Sequence, residues 1–347
     1  MRIALTSPYS WPHVRRGGER YLDDLAHWLR AAGHDVDVVT GEGHRVHTAT
    51  ARRGLTPLDT FGLAAWAPLA RGRYDVVHAL VPSAALAARL AGRRTVYTVL
   101  GLPTASHFGR RPFDRRLFTA AVRRASAVTA LSAAAAQAVM TLTGRDVEVV
   151  PPGLRPDRFP LDAVLRSGPA RLLFAADASD PRKGLRAVLA ALDLLLDRLP
   201  DARLLVAGPG DPAAALAAAS ERARAATDAL GVGELDDVPG RYRAATVTVL
   251  PSRYEAFGLV LVESLASGTP AVAYAECGPG EILDDPLVGR TCPPGDPAAL
   301  AAAMEAAIAL AADPRTPGRC AEHARRWHWD VVGEQHEAVY ERVLGRS

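Results

Sequence analysis

Lysine is almost missing from this chain of 347 residues: of its 41 basic residues, only Lys183 is not arginine. Arginine and alanine dominate throughout, as a G+C-rich coding bias produces, so an amine retained at one position stands out. Lysine is a compact point charge on a flexible stem and suits a phosphate, whereas arginine is a planar fork; chance retention is the competing reading. Cysteine is scarce too. Cys277, Cys292 and Cys320 are widely spaced and odd in number, which fits neither a disulfide framework nor a zinc site and makes a reducing cytosol the default compartment. No apolar run approaches the ~18 residues of a spanning helix. The apolar part of the N-terminus, Ile3-Ala4-Leu5, is far short of a signal-peptide core. Excess charge is lacking as well: 41 basic against 38 acidic residues leave +3, too near neutral for the electrostatic footprint of a nucleic-acid binder. What is present, 49% hydrophobic and 23% charged residues, fits a folded soluble protein and excludes wholesale disorder. The length suggests about two domains, each able to bury an ordinary core.

The organisation supports that count. Short continuous apolar runs at 2–6, 35–40, 75–80, 95–100, 127–131 and 147–150 read as strands, with helical stretches at 18–32, 83–91, 112–124 and 133–142 between them. Continuous rather than alternating runs indicate parallel strands covered on both faces. A Pro/Gly-rich stretch from Pro151 to Pro160 reads as a linker. The pattern then restarts, with strands at 171–176, 202–207, 246–250 and 271–274 and helices at 183–199, 212–230, 258–267 and 297–312. The fold class is therefore α/β, with two Rossmann-like doubly wound domains. The amphipathic tail at 330–344 reads as a docked helix. Ligands in such sheets bind outside the carboxyl ends of the strands, so chemistry is expected in the loops after strands, at a cleft between the two sheets.

The most informative segment runs from Pro251 to Pro270, after a strand and into a helix. Glu255 lies in the loop, and Gly258 permits close backbone approach to a ligand. Free amides around Phe257, Gly258, Leu259 and Val260 at the helix start suit a phosphate. Glu263, about two turns into the helix, is within reach of vicinal hydroxyls such as those of a ribose, leaving Glu255 for a sugar. The competing reading is a capped helix with two surface glutamates.

This segment resembles the Glu-x7-Glu motif of the family-4 retaining glycosyltransferases of the GT-B fold. The resemblance extends over most of the chain. Arg16-Gly17-Gly18-Glu19 and Ala32-Gly33-His34-Asp35-Val36 look like that family's glycine loop and first crossover, and Val150-Pro151-Pro152-Gly153 like its interdomain linker. Lys183-Gly184 looks like its phosphate-binding pair, Ala207-Gly208-Pro209-Gly210-Asp211 like its turn near the nucleotide, and Trp329-Asp330 with Val339-Tyr340 like its final helix. The resemblance implies an acceptor-binding domain at 1–155, a nucleotide-sugar-binding domain at 156–330, and a helix at 331–347 that crosses back to the first domain. It implies a metal-independent, retaining hexosyltransferase that moves a sugar from a nucleotide-diphosphate donor to an acceptor hydroxyl on a small molecule, glycan or lipid headgroup. Glu255 would hold donor-sugar hydroxyls, Glu263 the ribose, and Lys183 the leaving diphosphate, with Gly17, Gly18, Arg182, Gly208, Phe257, Gly258 and Leu259 lining the donor. No cofactor beyond the donor is implied. A degenerate nucleotide-binding scaffold, or a sugar phosphorylase or epimerase on the same fold, are the alternatives.

Two positions depart from the family pattern. Asp177 stands where an arginine usually accompanies the lysine, and an acid there repels a diphosphate; Arg182 is the candidate substitute. Leu100 stands where many members carry a histidine, and His107 is the nearest replacement. Glu281 reads either as a donor-site residue or as a first-turn acid, and Asp236-Asp237 and Asp284-Asp285 as loop or helix-end charges. His78 and His328 read as ordinary core or surface groups. The 110–124 region carries Arg110, Arg111, Arg115, Arg116, Arg123 and Arg124, interleaved with Phe113, Leu117 and Phe118. With Phe108 just before it, the region reads as a solvated helix face or as a contact for an anionic membrane or acidic acceptor. The expected location is the cytoplasm, peripheral to the inner membrane face if that region docks. No nucleic-acid partner is expected.

Overall fold

Twelve short strands form two all-parallel, six-stranded sheets in the computed structural model of the chain, which describes residues 1–14, 17–41, 57–104, 108, 112–161, 168–232 and 238–346. His107, Arg16, Arg110, Arg111, Asp236 and Asp237 lie outside the described residues. The chain divides into two compact units, one of residues 1–153 with 329–347 and the other of residues 154–328. These boundaries fall two residues before 155/156 and 330/331.

The sheet of the first unit runs β2 (Asp35–Thr40), β1 (Arg2–Ser7), β3 (Val76–Ala79), β4 (Thr95–Val99), β5 (Ala127–Ala130), β6 (Glu148–Val149). Every residue of β3 and β4 is buried, as strands covered on both faces must be. One face is covered by the helices Pro57–Arg71, Pro82–Leu90 and Pro112–Arg124, whose Phe61, Leu69, Ala84, Ala88, Phe118 and Val122 share one core with Val77 and Val99. The other face is covered by Gly17–Ala31 and Trp329–Leu344, through Leu22, Leu25, Leu29, Trp329, Val332 and Val339 against Ile3, Leu5 and Val76. Each such fully buried aliphatic side chain contributes about 1.5–3 kcal/mol. A Cβ on Gly333 would lie 2.1 Å from Cε2 of Trp28, so the absence of a side chain there sets how closely the Trp329–Leu344 helix packs. Polar contacts fix it further. Tyr21 Oη lies 2.7 Å from His336 Nε2, and His78 Nδ1 lies 2.7 Å from Tyr340 Oη. His78 is 1% exposed, so it is a core residue.

The second unit orders its strands β12 (Gly289–Cys292), β11 (Ala271–Tyr274), β10 (Val247–Leu250), β7 (Arg171–Ala175), β8 (Arg203–Ala207), β9 (Thr227–Gly231). Strand order reverses between β7 and β10, as it does between β1 and β3 in the first unit; such reversal points open a crevice at the carboxyl ends of the strands. Two helices differ from the sequence reading. The stretch at 212–230 is two short helices, Ala213–Ala217 and Glu221–Ala225, followed by β9. Ser220 starts the second by accepting a hydrogen bond from the Ala223 amide, and Thr227 opens the strand that pairs with β8. The stretch at 183–199 begins as a 3-10 turn, Pro181–Lys183, and becomes helical only over Leu185–Leu195. Helices Pro57–Arg71, Val238–Ala244 and Thr316–Ala324 and strands β9 and β12 are additions to the sequence reading.

Candidate functional site

The reversal point of the second unit places two loops side by side: the one after β7, which carries Lys183, and the one after β10, which carries Glu255. They are joined through backbone. The Arg253 amide donates to the Arg182 carbonyl at 2.8 Å. Gly184, at φ +81°, sits so close that a Cβ there would meet the Pro251 carbonyl oxygen at 2.5 Å. Lys183 Nζ then donates to Glu255 Oε2 at 2.6 Å, with 28% and 19% of the two side chains exposed. An ion pair this short and half-buried is a charge-assisted hydrogen bond, open to solvent on one side.

The loop after β8 completes this corner. Gly208 (φ +141°) leaves no room for a Cβ, which would lie 2.4 Å from the Ala176 carbonyl oxygen, and the Ala178 amide donates to the Pro209 carbonyl at 2.8 Å. Asp177 has a local role. Its Oδ1 accepts from the Ser179 amide at 3.0 Å and from Ser179 Oγ at 2.7 Å, and it lies where a side chain on Gly210 would stand. The acid therefore closes a turn of the kind aspartate favours. Arg182, the candidate substitute for the missing arginine, is held by Asp180, whose carboxylate accepts its Nη2 at 2.7 Å and its backbone amide at 2.9 Å. That hydrogen bond holds the Asp180 carboxyl below the usual aspartate range. The Arg182 guanidinium is thus paired with Asp180, and Lys183 is the cation that donates to Glu255.

Beyond Glu255 the chain turns through two unusual conformations. Tyr254 has φ +57°, a left-handed geometry that costs a non-glycine residue about 1–3 kcal/mol and concentrates at functional sites. Gly258 follows at φ +106° and starts the helix Leu259–Ala266. The amides of its first turn, at Leu259 and Val260, have no intrahelical acceptor. Phe257 is buried, and Gly278 allows its backbone to pass close to Phe257 Cα, where a Cβ would approach to 2.4 Å.

Glu263 is no surface glutamate: it is 5% exposed and accepts from the Tyr242 hydroxyl at 2.6 Å. Tyr242 is itself 1% exposed, and its carbonyl accepts from Thr269 Oγ1 at 2.7 Å. Ser264 Oγ bonds Thr248 Oγ1 at 2.7 Å and the Thr269 carbonyl at 2.9 Å, which fixes the helix that presents Glu263 against β10. Tyr242 and Asp180 were invisible as site residues in the sequence. The only signal was a tyrosine without an apolar period around it.

Other sequence candidates separate. Glu281 lies in the helix Cys277–Ile282, near Cys277, whose thiol is pushed up by burial and by Glu276, Glu281 and Glu255. Asp284 makes a two-armed pair with Arg326 at 3.0 and 2.9 Å, and Asp285 accepts from the Leu287 amide; both are loop charges. In the first unit, Gly17 and Gly18 open the helix Gly17–Ala31, and a Cβ on Gly18 would lie 3.0 Å from Leu100 Cδ1. The loops after β1 and β4 thus meet at Gly18 and Leu100. Among the described residues no group of three or more His, Cys, Asp or Glu is clustered as a metal site requires.

The chain matches the family described as Glycosyl transferases group 1 over residues 162–327 and the one described as Glycosyltransferase Family 4 over residues 15–158. It is 30% identical to a phosphatidyl-myo-inositol mannosyltransferase of Mycolicibacterium smegmatis, covering 99% of this chain and 95% of the relative. Among solved structures it superposes on sucrose-phosphate synthase from Thermosynechococcus elongatus with a TM-score of 0.79 at 22% identity, covering 100% of both chains. It also superposes on Anabaena Alr3699/HepE in complex with UDP-glucose, with a TM-score of 0.77 at 19% identity over 99% of this chain and 100% of the other. Two parallel sheets with their helices, the glycine loop, the Lys183–Glu255 corner and these matches together make the chain a member of the family-4 glycosyltransferases, with the GT-B fold.

Proposed function

We propose that the protein transfers a hexose-type sugar from a nucleotide-diphosphate donor to an acceptor hydroxyl, with retention at the anomeric carbon and without a metal ion. The observation that carries this reading is the Lys183–Glu255 pair at the β7/β10 reversal point, beside a free helix start and a buried Glu263. On donor binding Lys183 exchanges its carboxylate partner for the diphosphate, and Glu255 turns to the sugar hydroxyls. The amides of Leu259 and Val260 add fixed donors for the phosphate, and Glu263 accepts from the ribose. As the bond from the anomeric carbon to the leaving phosphate oxygen breaks, negative charge grows where Lys183 and these amides stand, which lowers the barrier. The acceptor oxygen forms its bond on the same face, and its proton passes to the departing phosphate oxygen, so no protein nucleophile is needed. Gly208 lines the nucleotide side of the donor.

The UDP-glucose complex of a structural neighbour supports a donor of this class, and the mannosyltransferase relative supports a hexose. No single helix among the described residues is long and apolar enough to cross a membrane.

The test is direct. Thermal shift with UDP, GDP and ADP identifies the nucleotide, since stabilisation scales as RT ln(1 + [L]/Kd). Turnover with the matching nucleotide sugars in the presence of EDTA, with the product anomer read by NMR, tests transfer. A retained anomer in EDTA supports the reading. An inverted product or loss of activity in EDTA overturns it, and nucleotide binding without transfer to any hydroxyl returns the scaffold alternative.

A further inference from the structure

The second unit holds seven phenylalanine, tyrosine and tryptophan residues, and six of them are at most 8% exposed. Tyr254 is the exception. It is 54% exposed, and it stands directly before Glu255 in the loop after β10. The core does not call for an aromatic ring at this position.

The backbone does not call for it either. Tyr254, at φ +57°, and Cys277, at φ +56°, are the only non-glycine residues with positive φ among the described residues. Glycine adopts that conformation without strain, whereas a side chain with a Cβ does not. Both strained positions border Glu255. Tyr254 precedes it in the chain, and the Gly278 amide, next after Cys277, donates to the Glu255 carbonyl at 3.2 Å. Ahead of Tyr254, the Arg253 amide is fixed to the Arg182 carbonyl at 2.8 Å. The loop is thus tied down on both sides of Tyr254, by the segment that carries Lys183 and by the one after β11. Its side chain is braced as well. The Arg253 guanidinium lies over the Tyr254 ring, 5.7 Å from its centroid and within cation–π range, and 3.9 Å from Glu276. A strained, braced and exposed ring beside a site residue is a candidate for ligand contact.

The donor leaves a need that such a ring meets. Lys183 and the helix-start amides serve the diphosphate, Glu255 the sugar hydroxyls and Glu263 the ribose, and all of these are polar. A pyranose also has flat C–H faces, which gain by leaving water for the apolar face of an aromatic ring. Phe257 does not supply that face, since it is buried and packs edge-on against Trp327, with 6.2 Å between ring centroids. We propose that Tyr254 contacts the transferred hexose, its ring covering a C–H face of the sugar whose hydroxyls Glu255 holds. This inference rests on the donor reading above and adds a residue to it.

The experiment is calorimetry on the full chain without acceptor. It compares the nucleoside diphosphate selected by thermal shift with its glucose and mannose conjugates. Tyr254→Ala is expected to weaken the better-bound sugar conjugate about fivefold and to leave the affinity for the free nucleoside diphosphate unchanged. Tyr254→Phe, which keeps the ring, is expected to retain the sugar affinity. Tyr254→Gly, which relieves the left-handed strain, is expected to fold at least as stably as Tyr254→Ala and to lose the same sugar affinity. Wild-type affinity for the sugar conjugate in the alanine or glycine variant overturns the inference and leaves the donor reading intact. An equal loss for the free nucleoside diphosphate also overturns it, since the ring then acts on the nucleotide or on the loop and not on the sugar. A wild-type protein that binds no nucleotide sugar overturns the donor reading, and this inference with it.

Discussion

Lys183 Nζ and Glu255 Oε2 are 2.6 Å apart, although 72 residues separate them in the chain. They meet because β7 and β10 are neighbours in the sheet and their following loops share a backbone hydrogen bond. Each holds the other in place.

Lys183→Ala is expected to lower turnover by about 10²–10³, the loss seen when a fixed donor to developing charge is removed. Lys183→Arg should recover little, because a planar fork does not fit where a point charge stood. Steady-state kinetics with the matched nucleotide sugar checks both, and wild-type turnover in the alanine variant removes Lys183 from the mechanism. Glu255→Gln should reduce transfer while sparing nucleotide affinity.

Tyr242 and Glu263 form a second short contact, deeper in the unit. Glu263→Ala should weaken nucleoside diphosphate binding, measured by calorimetry. Tyr242→Phe removes one hydroxyl from a buried carboxylate and should cost about 1–3 kcal/mol of stability in denaturant unfolding. It should also loosen nucleotide binding, as Glu263 loses the partner that orients it. A Tyr242→Phe protein with unchanged nucleotide affinity limits that hydroxyl to a folding role.

Asp177→Arg puts back the residue that the family pattern has at this position, yet the structure argues against a gain. The variant loses two hydrogen bonds to Ser179, each worth about 1 kcal/mol, and sets a longer side chain against Gly210. Lower melting temperature without tighter diphosphate binding is expected. Tighter binding at unchanged stability would mean that the turn is dispensable.

Acid should loosen the first unit through its buried histidines. His336 Nδ1 donates to the Val332 carbonyl at 2.9 Å, so in the neutral ring Nε2 accepts from Tyr21 Oη. Burial pushes His336 down to about 4 and His78 well below its usual value, the latter with a further contribution from His336. Between about pH 6.5 and pH 4 the unfolded chain binds a proton at His336 that the folded one does not, so stability falls with falling pH, by about 1.4 kcal/mol per unit for that histidine, and His78 adds in the same direction. Above pH 6.5 both states are neutral and this slope vanishes. Denaturant unfolding from pH 7.5 to 4.5 measures it, and His336→Gln should have a shallower slope. An unchanged slope would assign the acid sensitivity to other groups.

Much of the architecture was legible because burial on both faces writes itself as continuous apolar runs. Strands Asp35–Thr40 and Ala271–Tyr274 and helix Pro112–Arg124 have the bounds read from the chain. The alanine-rich stretch at 212–230 misled because alanine favours helix everywhere, while the break at Ser220 and the pairing of Thr227 with Leu204 depend on a cap and on a neighbouring strand. The site divides the same way. The placement of Glu255 in a loop and of Glu263 in the helix after it was legible because a loop-to-helix segment carries its own spacing. The use of Asp177 as a turn, the capture of Arg182 by Asp180 and the contact of Tyr242 with Glu263 were not, because each depends on side-chain direction or on residues the fold alone brings together.

The placement of Trp329–Leu344 in the first unit has a consequence for biosynthesis. The second unit is continuous in sequence, so it can close as soon as its last residue leaves the ribosome. The first unit, though translated earlier, must wait with Leu22, Leu25 and Ile3 short of their cover until that helix emerges. The half made first is the half completed last, and the interval between is when a nascent chain of this protein most needs a chaperone.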